Sequence, residues 1–430
     1  MNTADTGASS PSSSNAPTRA SADTWRIVAA RGLRQFAYGL LGVTLAVALT
    51  GYGFSPVAIG ALLTIGLAGD FCATYIIALY ADRWGRRRTL VGLAILMALT
   101  GVIFTLTRFY PALALAAFFG VLGSTTSETA PFLPIEQAML PQTAAASLHT
   151  SLFARYNLIA SLAGALGALA AGLPDLLARV GLARPLGLDL MFWLYTACAL
   201  GVVWLTSHLS PAIEPVARPA PGASGSWRRR LLPPLGQSRG IVLRLASLFS
   251  VDALAGGLVT QSLLALYFHL RFGASLSLLA TLFFGANLLS ALSFLAAAPL
   301  ARRFGLLNTM VFTHLPSNAL LMLVALAPTF PLAGVTLLAR QALSQMDVPT
   351  RQAYTMALVA PEERTAAASV TSLARSVGSG VSPVIAGALL TGPLVALGLP
   401  LLIGGALKAA YDLTLWGVFR RTPLPEESKH

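Results

Sequence analysis

Three acidic residues stand inside long apolar stretches of the sequence. Asp70 and Asp252 stand among apolar and small residues, and Glu128 directly follows four hydroxyl residues, Ser124 to Ser127. A charge at the centre of a bilayer costs at least about 2.5 to 3.5 kcal/mol on insertion scales. Carboxyls in a hydrated cavity can bind a proton or a cationic substrate. We therefore predict that these three acids lie on a path for protons or substrate.

Arginines occur in the same apolar stretches. Arg155, Arg340 and Arg375 stand well inside them. A guanidinium at that depth can contact the anionic part of a substrate, or it can form a structural ion pair with one of the acids. Both interpretations remain open for these residues. For a second group, nearer the expected helix ends, a structural role is favoured, since these residues can pair with an acid or snorkel towards the membrane surface: Arg31, Arg34 and Arg244.

A polar loop between the second and third apolar stretches combines one acid with several arginines. It reads Ala81-Asp82-Arg83-Trp84-Gly85-Arg86-Arg87-Arg88. Asp82 can pair with a cation at a neighbouring helix end, and such a pair can break and re-form when helices move relative to one another. We predict a gate built from Asp82, Arg83, Gly85, Arg86 and Arg87. Asp347, expected near the same membrane face, is predicted to act as a further gate or latch residue.

The elements that position these residues are predicted from composition. The 430 residues are 55% hydrophobic and only 10% charged, against about 25% charged in a soluble domain. A span of the hydrocarbon core takes roughly 20 apolar residues, and about a dozen such stretches occur. The sequence predicts an all-α membrane protein with about 12 transmembrane helices. The spans are expected at 28–50, 57–80, 89–107, 111–131, 147–172, 189–207, 241–268, 276–300, 308–328, 331–352, 366–390 and 395–416.

The charge pattern predicts the orientation. The net charge is +13, and the arginines gather between alternate apolar stretches. This asymmetry places both termini in the cytoplasm, and it explains the positive charge without nucleic-acid binding.

Cys72 and Cys198 both stand in apolar stretches, where we expect small core residues and no disulfide or metal site. No cofactor site and no grouping of nucleophile, base and orienting residue is evident, so an enzyme is not expected.

An internal repeat divides the chain into two related halves. Thr143–Ser147 recurs as Thr365–Ser369, 222 residues later. Two more pairs recur at offsets of 220 and 215 residues: Ala154-Arg155 with Ala374-Arg375, and Gln137-Ala138 with Gln352-Ala353. Nearly constant offsets indicate a duplication into two pseudo-symmetric six-helix bundles. The predicted domains are a disordered cytosolic tail (1–24), the first bundle (25–207), a cytosolic linker (208–239), the second bundle (240–419) and a cytosolic tail (420–430).

The loop at 81–88 resembles the signature loop of the major facilitator superfamily, G-x-L-A-D-R-x-G-R-[KR], with Ala78 where that pattern has glycine. Strings elsewhere are similar to those of a bacterial subgroup described as efflux permeases, among them Phe132–Ala138, Phe312–Asn318 and Met346–Gln352. The resemblance implies the two-bundle fold of that superfamily. It also implies that the fifth and eleventh spans, which carry Arg155 and Arg375, line the path.

The expected function follows from the resemblance and the buried charges. We expect a secondary active transporter of the bacterial inner membrane that exports a small organic compound or metabolite in exchange for protons. One alternative is a proton symporter that takes up a small organic anion, and an alternative of another class is a non-transporting receptor or scaffold. The expected partners are a small-molecule substrate, protons and the lipid bilayer. A monomer is expected, because two bundles already enclose a path.

Overall fold

A computed structural model describes residues 22–120, 131–143, 149–214, 236, 238–360 and 363–421. Its regular elements are helices, which we number in chain order. The first half contains α1 (Ala22–Gly51), α2 (Pro56–Trp84), α3 (Arg86–Leu106), α4 (Tyr110–Phe119), α5 (Phe132–Met139), α6 (His149–Ala170), α7 (Leu173–Arg179) and α8 (Arg184–Ser207). The second half contains α9 (Arg239–Gly257), α10 (Gln261–Phe272), α11 (Leu276–Phe304), α12 (Leu306–Leu326), α13 (Phe330–Leu343), α14 (Asp347–Leu358), α15 (Arg364–Gly380), α16 (Ser382–Leu389), α17 (Leu394–Leu397) and α18 (Leu399–Phe419).

The helices account for the predicted membrane spans. Within the described residues, nine helical stretches are long and apolar enough to cross a membrane, and Tyr110–Phe119 is a shorter apolar helix. The remaining two predicted spans, 331–352 and 366–390, are each divided between two consecutive helices. The second of these breaks comes just before Pro383, which cannot continue a hydrogen-bonded helix. The fold is therefore the predicted all-α membrane architecture.

The two halves pack on the same plan. In the first half, α1 packs against α6, α3 against α8 and α2 against α4. In the second half, the corresponding pairs are α9 with α15, α12 with α18 and α11 with α13. These pairs follow the same order along each half. The packing therefore confirms the two pseudo-symmetric bundles that the sequence repeat predicts.

Glycines permit the same close approach in both bundles. A Cβ atom on Gly167 of α6 would lie 1.9 Å from the carbonyl oxygen of Phe36 in α1. In the second half, a Cβ atom on Gly378 of α15 would lie 2.2 Å from the carbonyl oxygen of Ser250 in α9. Both positions require a residue without a side chain, because helices inside a membrane associate mainly through close packing.

The halves contact each other at the helix ends opposite the arginine loop. In α2, which ends at that loop, a Cβ atom on Gly60 near the far end would lie 2.2 Å from the carbonyl oxygen of Pro383. The backbone N–H of Val384 donates to the Thr64 hydroxyl, at 3.1 Å. Beyond α6, the Asp175 carboxylate accepts a hydrogen bond from the backbone N–H of Ser277, at 2.8 Å. These contacts close the molecule on that side.

The prediction that both cysteines are core residues is half right. Cys198 is buried, whereas Cys72 is exposed on α2. A thiol behaves as a small apolar group, so it can face outward on a membrane helix without a penalty.

Substitution of Gly60 tests the close contact between the halves. We expect Gly60→Ala to destabilise the protein by about 1 to 3 kcal/mol, because the new methyl group meets backbone that cannot move aside. The matched control is Gly92→Ala in α3, where a Cβ atom has nothing within 4 Å and alanine favours the helix. Melting temperatures in detergent provide the comparison. Equal melting temperatures for the two variants would contradict the contact.

Candidate functional site

A buried ion pair connects three helices of the first half. The Arg34 guanidinium on α1 donates two hydrogen bonds to the Glu136 carboxylate on α5, each at 2.7 Å. The Tyr156 hydroxyl on α6 donates to the same carboxylate at 2.5 Å. Arg34 is 0% exposed and the other two residues are 1% exposed. The pair is thus fully removed from solvent and its carboxylate is satisfied by three donors.

Neither Arg31 nor Arg34 snorkels to the surface, and Arg34 forms a structural ion pair, the other interpretation that the sequence leaves open. Arg31 is only 3% exposed, and its guanidinium lies 5.2 Å from the centre of the Tyr156 ring. Arg34 turns inward because Glu136 neutralises it and its guanidinium lies 4.2 Å from the centre of the Phe132 ring. Arg31 has no carboxylate at ion-pair distance among the described residues, and its Nε and Nη1 atoms have no hydrogen-bond partner. Arg244 is exposed, as a snorkelling residue would be.

Asp70 differs from every other buried acid that the structure describes. It is 4% exposed and lies 14 residues from each end of α2, at the middle of that helix. Its Oδ1 atom has no hydrogen-bond partner, and the same holds for the nearby Tyr38 hydroxyl. In the described part of the chain, no cation lies within ion-pair distance of Asp70. The carboxyl is therefore buried without a counter-charge.

Asp252 in the second half has the opposite environment. Its carboxylate lies 2.5 Å from Lys408 Nζ, 3.1 Å from Arg375 Nη1 and 3.3 Å from Arg351 Nη1. Arg351 also pairs with Asp347, at 2.9 Å. These five residues come from α9, α14, α15 and α18. Of the predicted site residues, the structure thus brings together Asp252, Arg375 and Asp347.

Arg340 lies at the edge of this cluster. It is 9% exposed and stands in the last turn of α13, where its Nη1 atom donates to the side-chain carbonyl of Gln341, at 2.6 Å. Its Nε atom has no hydrogen-bond partner. Asp252 and Asp347 are near enough to act on its charge, but neither forms an ion pair with it.

The remaining predicted path residue that the structure describes, Arg155, does not join a cluster. Arg155 is exposed on α6 and forms no ion pair with a described carboxylate, although its repeat partner Arg375 does. Glu128 lies outside the described residues. Its role stays a prediction.

The predicted gate is anchored to its own half. Gly85 links α2 to α3 with a φ of 93°, a conformation that favours glycine. Arg86 is buried and donates to the Ile213 carbonyl, at 3.4 Å. The Glu214 carboxylate accepts hydrogen bonds from the backbone N–H groups of Arg86 and Arg87, at 2.7 and 3.1 Å. It caps α3, as an acid at a helix N-terminus does.

The gating roles themselves stay predictions. Arg83 and Arg87 are exposed, and the side chain of Asp82 lies outside the described part of the chain. Asp347 stands at the first position of α14 and pairs with Arg351. That contact places it beside Asp252 and does not test its proposed gating function.

Sequence analysis missed several of the buried partners. Glu136 is not among the predicted site residues, because it lies beyond the predicted end of the fourth span at 131. A repeat comparison contains the missing signal, since Pro134-Ile-Glu136-Gln-Ala matches Pro349-Thr-Arg351-Gln-Ala, with opposite charges at the third position. The other missed residues are Lys408 and a buried network in which Asp412 lies 3.0 Å from His314 and 2.8 Å from Asn318.

The Arg34–Glu136 pair generates a stability prediction. We expect Glu136→Gln to destabilise the protein by about 3 to 5 kcal/mol, because it leaves Arg34 buried without a counter-charge. The control is Asp189→Asn, which breaks a pair with Arg108 whose side chains are 26% and 35% exposed and should cost about 1 kcal/mol or less. Thermal unfolding in detergent measures both. A loss no larger for Glu136→Gln than for Asp189→Asn would contradict the inferred burial of this pair.

Comparison with known proteins places this geometry in a family. The model of the Major Facilitator Superfamily matches residues 27–383. A protein of Saccharomyces cerevisiae, the uncharacterised membrane protein YJR124C, is 29% identical over 412 residues, which cover 90% of this chain and 92% of that protein.

Solved structures share the fold. The nucleoside transporter NupG has a TM-score of 0.69 at 15% identity, over 94% of this chain and 100% of the other. The D-xylose-proton symporter has a TM-score of 0.65 at 14% identity, over 95% and 99%. At these identities the likeness concerns the fold alone. With its family model, two-bundle architecture and buried mid-membrane charges, the chain belongs to the Major Facilitator Superfamily, as a multi-pass membrane protein of the secondary-transporter type.

Proposed function

We propose that the protein is a proton-coupled transporter of a small organic compound and that Asp70 carries the proton. The observation that supports this proposal is the burial of the Asp70 carboxyl at the middle of α2, where no cation of the described residues lies at ion-pair distance. An unpaired carboxylate is costly inside a membrane protein, so such a group is expected to take up and release a proton.

Asp252 serves as the internal comparison. Three cations lie within 3.3 Å of its carboxylate, so its negative charge is compensated without a proton. In this scheme Asp70 changes charge during the transport cycle, whereas Asp252 and Glu136 are fixed charges that hold helices together. Asp70 and Asp252 both stand in the middle of an apolar stretch of the sequence. The charges around them in the structure are what distinguish the two proposed roles.

The contacts between the halves support alternating access. Gly60, Thr64 and Asp175 join the halves at the helix ends opposite the arginine loop. Asp70 lies about 21 Å from either end of α2, at about 1.5 Å per residue. A mid-membrane site between two bundles is exposed to each side in turn when the bundles rock. The bundle contacts must then open on one side as the other side closes.

The direction of transport and the membrane remain parts of the proposal. We propose export from a bacterial cytoplasm through the inner membrane. The arginine asymmetry supports a placement with both termini inside, and the two-bundle unit supports a protein that acts as a monomer. Uptake by symport uses the same architecture.

The Asp70→Asn variant tests the proton-binding role. We expect it to reduce substrate-dependent proton movement to the level of empty vesicles while the protein still folds, because asparagine keeps the shape and cannot carry the proton. The measurement follows a pH-sensitive dye in inverted membrane vesicles after a panel of organic compounds is added to an established proton gradient. Asp189→Asn, an acid whose side chain is 26% exposed, is the matched control and should retain activity. Unchanged proton movement in Asp70→Asn would remove this residue from the mechanism.

A further inference from the structure

We propose that the substrate is an anion, a small molecule bearing a carboxylate or phosphate group, and that this group binds to Arg340 beside the Asp252 cluster. The inference deepens the proposed transport function and rests on it. It starts from Arg340, a buried guanidinium that has no carboxylate at ion-pair distance in the described part of the chain.

The charges around Arg340 favour a negative ligand. The described cations of the surrounding cluster are Arg340, Arg351, Arg375 and Lys408. The described carboxylates that face them are Asp252, Asp347 and Asp412. Asp412 is also held by His314 and Asn318, at 3.0 and 2.8 Å. Four described cations therefore face three described carboxylates, and Arg340 is the one of these four that has no carboxylate at ion-pair distance.

The helix dipole does not remove this excess. Arg340 lies in the last turn of α13, where the helix C-terminus carries partial negative charge. That interaction is weak and confined to the last turn of the helix. Removing an ion from water costs more than the helix end returns, even after the protein relaxes. A bound anion would supply the compensation that the helix end does not, and it would satisfy the unpartnered Nε atom.

A polar helix face leads to the cluster. On α15, Ser369, Ser372, Ser376 and Ser379 follow one another at spacings of three, four and three residues, so they share one face. Ser369 and Ser372 are exposed, and the neighbouring Arg375 side chain is 27% exposed while it contacts Asp252. Charged groups within membrane-spanning helices usually face protein or water and avoid lipid. We infer that this face lines an aqueous route to the site.

The first half contains a second guanidinium of the same kind. Arg31 is 3% exposed, and its Nε and Nη1 atoms have no hydrogen-bond partner. In the described residues its neighbouring acid, Glu136, is already engaged by Arg34 and Tyr156. Among the described residues, each half thus contains a buried arginine, Arg31 or Arg340, that has no carboxylate at ion-pair distance. In the described part of the chain, Asp70 is the buried carboxyl without a cation at ion-pair distance, and the proposed function assigns it to the proton.

The experiment measures ligand-induced thermal stabilisation of the purified full-length protein. The anionic probes are succinate, benzoate and inorganic phosphate, the neutral probe is glucose, and the cationic probe is tetraphenylphosphonium. A ligand that binds the folded state raises the melting temperature. We expect at least one anionic probe to raise it and the other two classes to leave it unchanged. Arg340→Gln should abolish the shift without lowering the melting temperature of the ligand-free protein, because it removes an uncompensated charge.

Two further arginine variants show whether the stabilisation depends on the site around Arg340. Arg244→Gln, an exposed arginine on α9, should retain the wild-type shift, whereas Arg375→Gln should weaken it. The proposal is overturned if no anionic probe stabilises the protein, if only the neutral or cationic probe does, or if the shift survives in Arg340→Gln. A ligand-free Arg340→Gln protein that melts earlier or does not fold would also overturn it. These failures leave Asp70-dependent proton movement unaffected, so they are distinguishable from failure of the proposed function.

Discussion

The need to compensate buried charge governs the arrangement of both bundles. Arg34 and Glu136 are almost completely buried, so either one alone would be an uncompensated charge in a region of low polarity. Their mutual position, with Tyr156 on the same carboxylate, fixes α1, α5 and α6 against one another. In the second half, the ion pairs of Asp252 fix α9, α14, α15 and α18 against one another. Helix packing and site chemistry are therefore not separate properties of this protein.

The duplicated halves keep the position of the ion pair and reverse its sign. Arg34 of the first helix meets Glu136, whereas Asp252 of the corresponding helix meets Arg351, and Glu136 and Arg351 occupy matching places in the repeat. The two bundles are consequently alike in shape and different in charge. We infer that the first half contributes the unpaired carboxyl of Asp70 and that the second half contributes the excess of cations. The duplication thus leaves the two halves with the same helix arrangement and different buried charges.

Hydropathy and repeats predicted the fold because both depend on many residues at once. The bilayer imposes a minimum length on each apolar stretch, and small errors at the ends do not change the number of spans. The site was harder to predict, because a partner is set by packing between distant parts of the chain. Glu136 follows a proline-containing segment that ended the fourth predicted span, and the sequence leaves open whether Arg34 pairs with an acid or reaches the surface. Asp70 and Asp252 looked equivalent, since one sequence cannot show which of them has cations beside it.

Distance measurements between the halves test the alternating-access account most directly. With Cys72 and Cys198 replaced by alanine, spin labels at Arg83→Cys and Arg302→Cys report on the arginine-loop side, and labels at Val180→Cys and Leu397→Cys report on the other. All four positions are exposed. Pulsed electron resonance in lipid nanodiscs then compares neutral and acidified medium. We expect the two distances to change in opposite directions, and the change to disappear in Asp70→Asn. Distances that stay constant, or that increase and decrease together, would contradict the account.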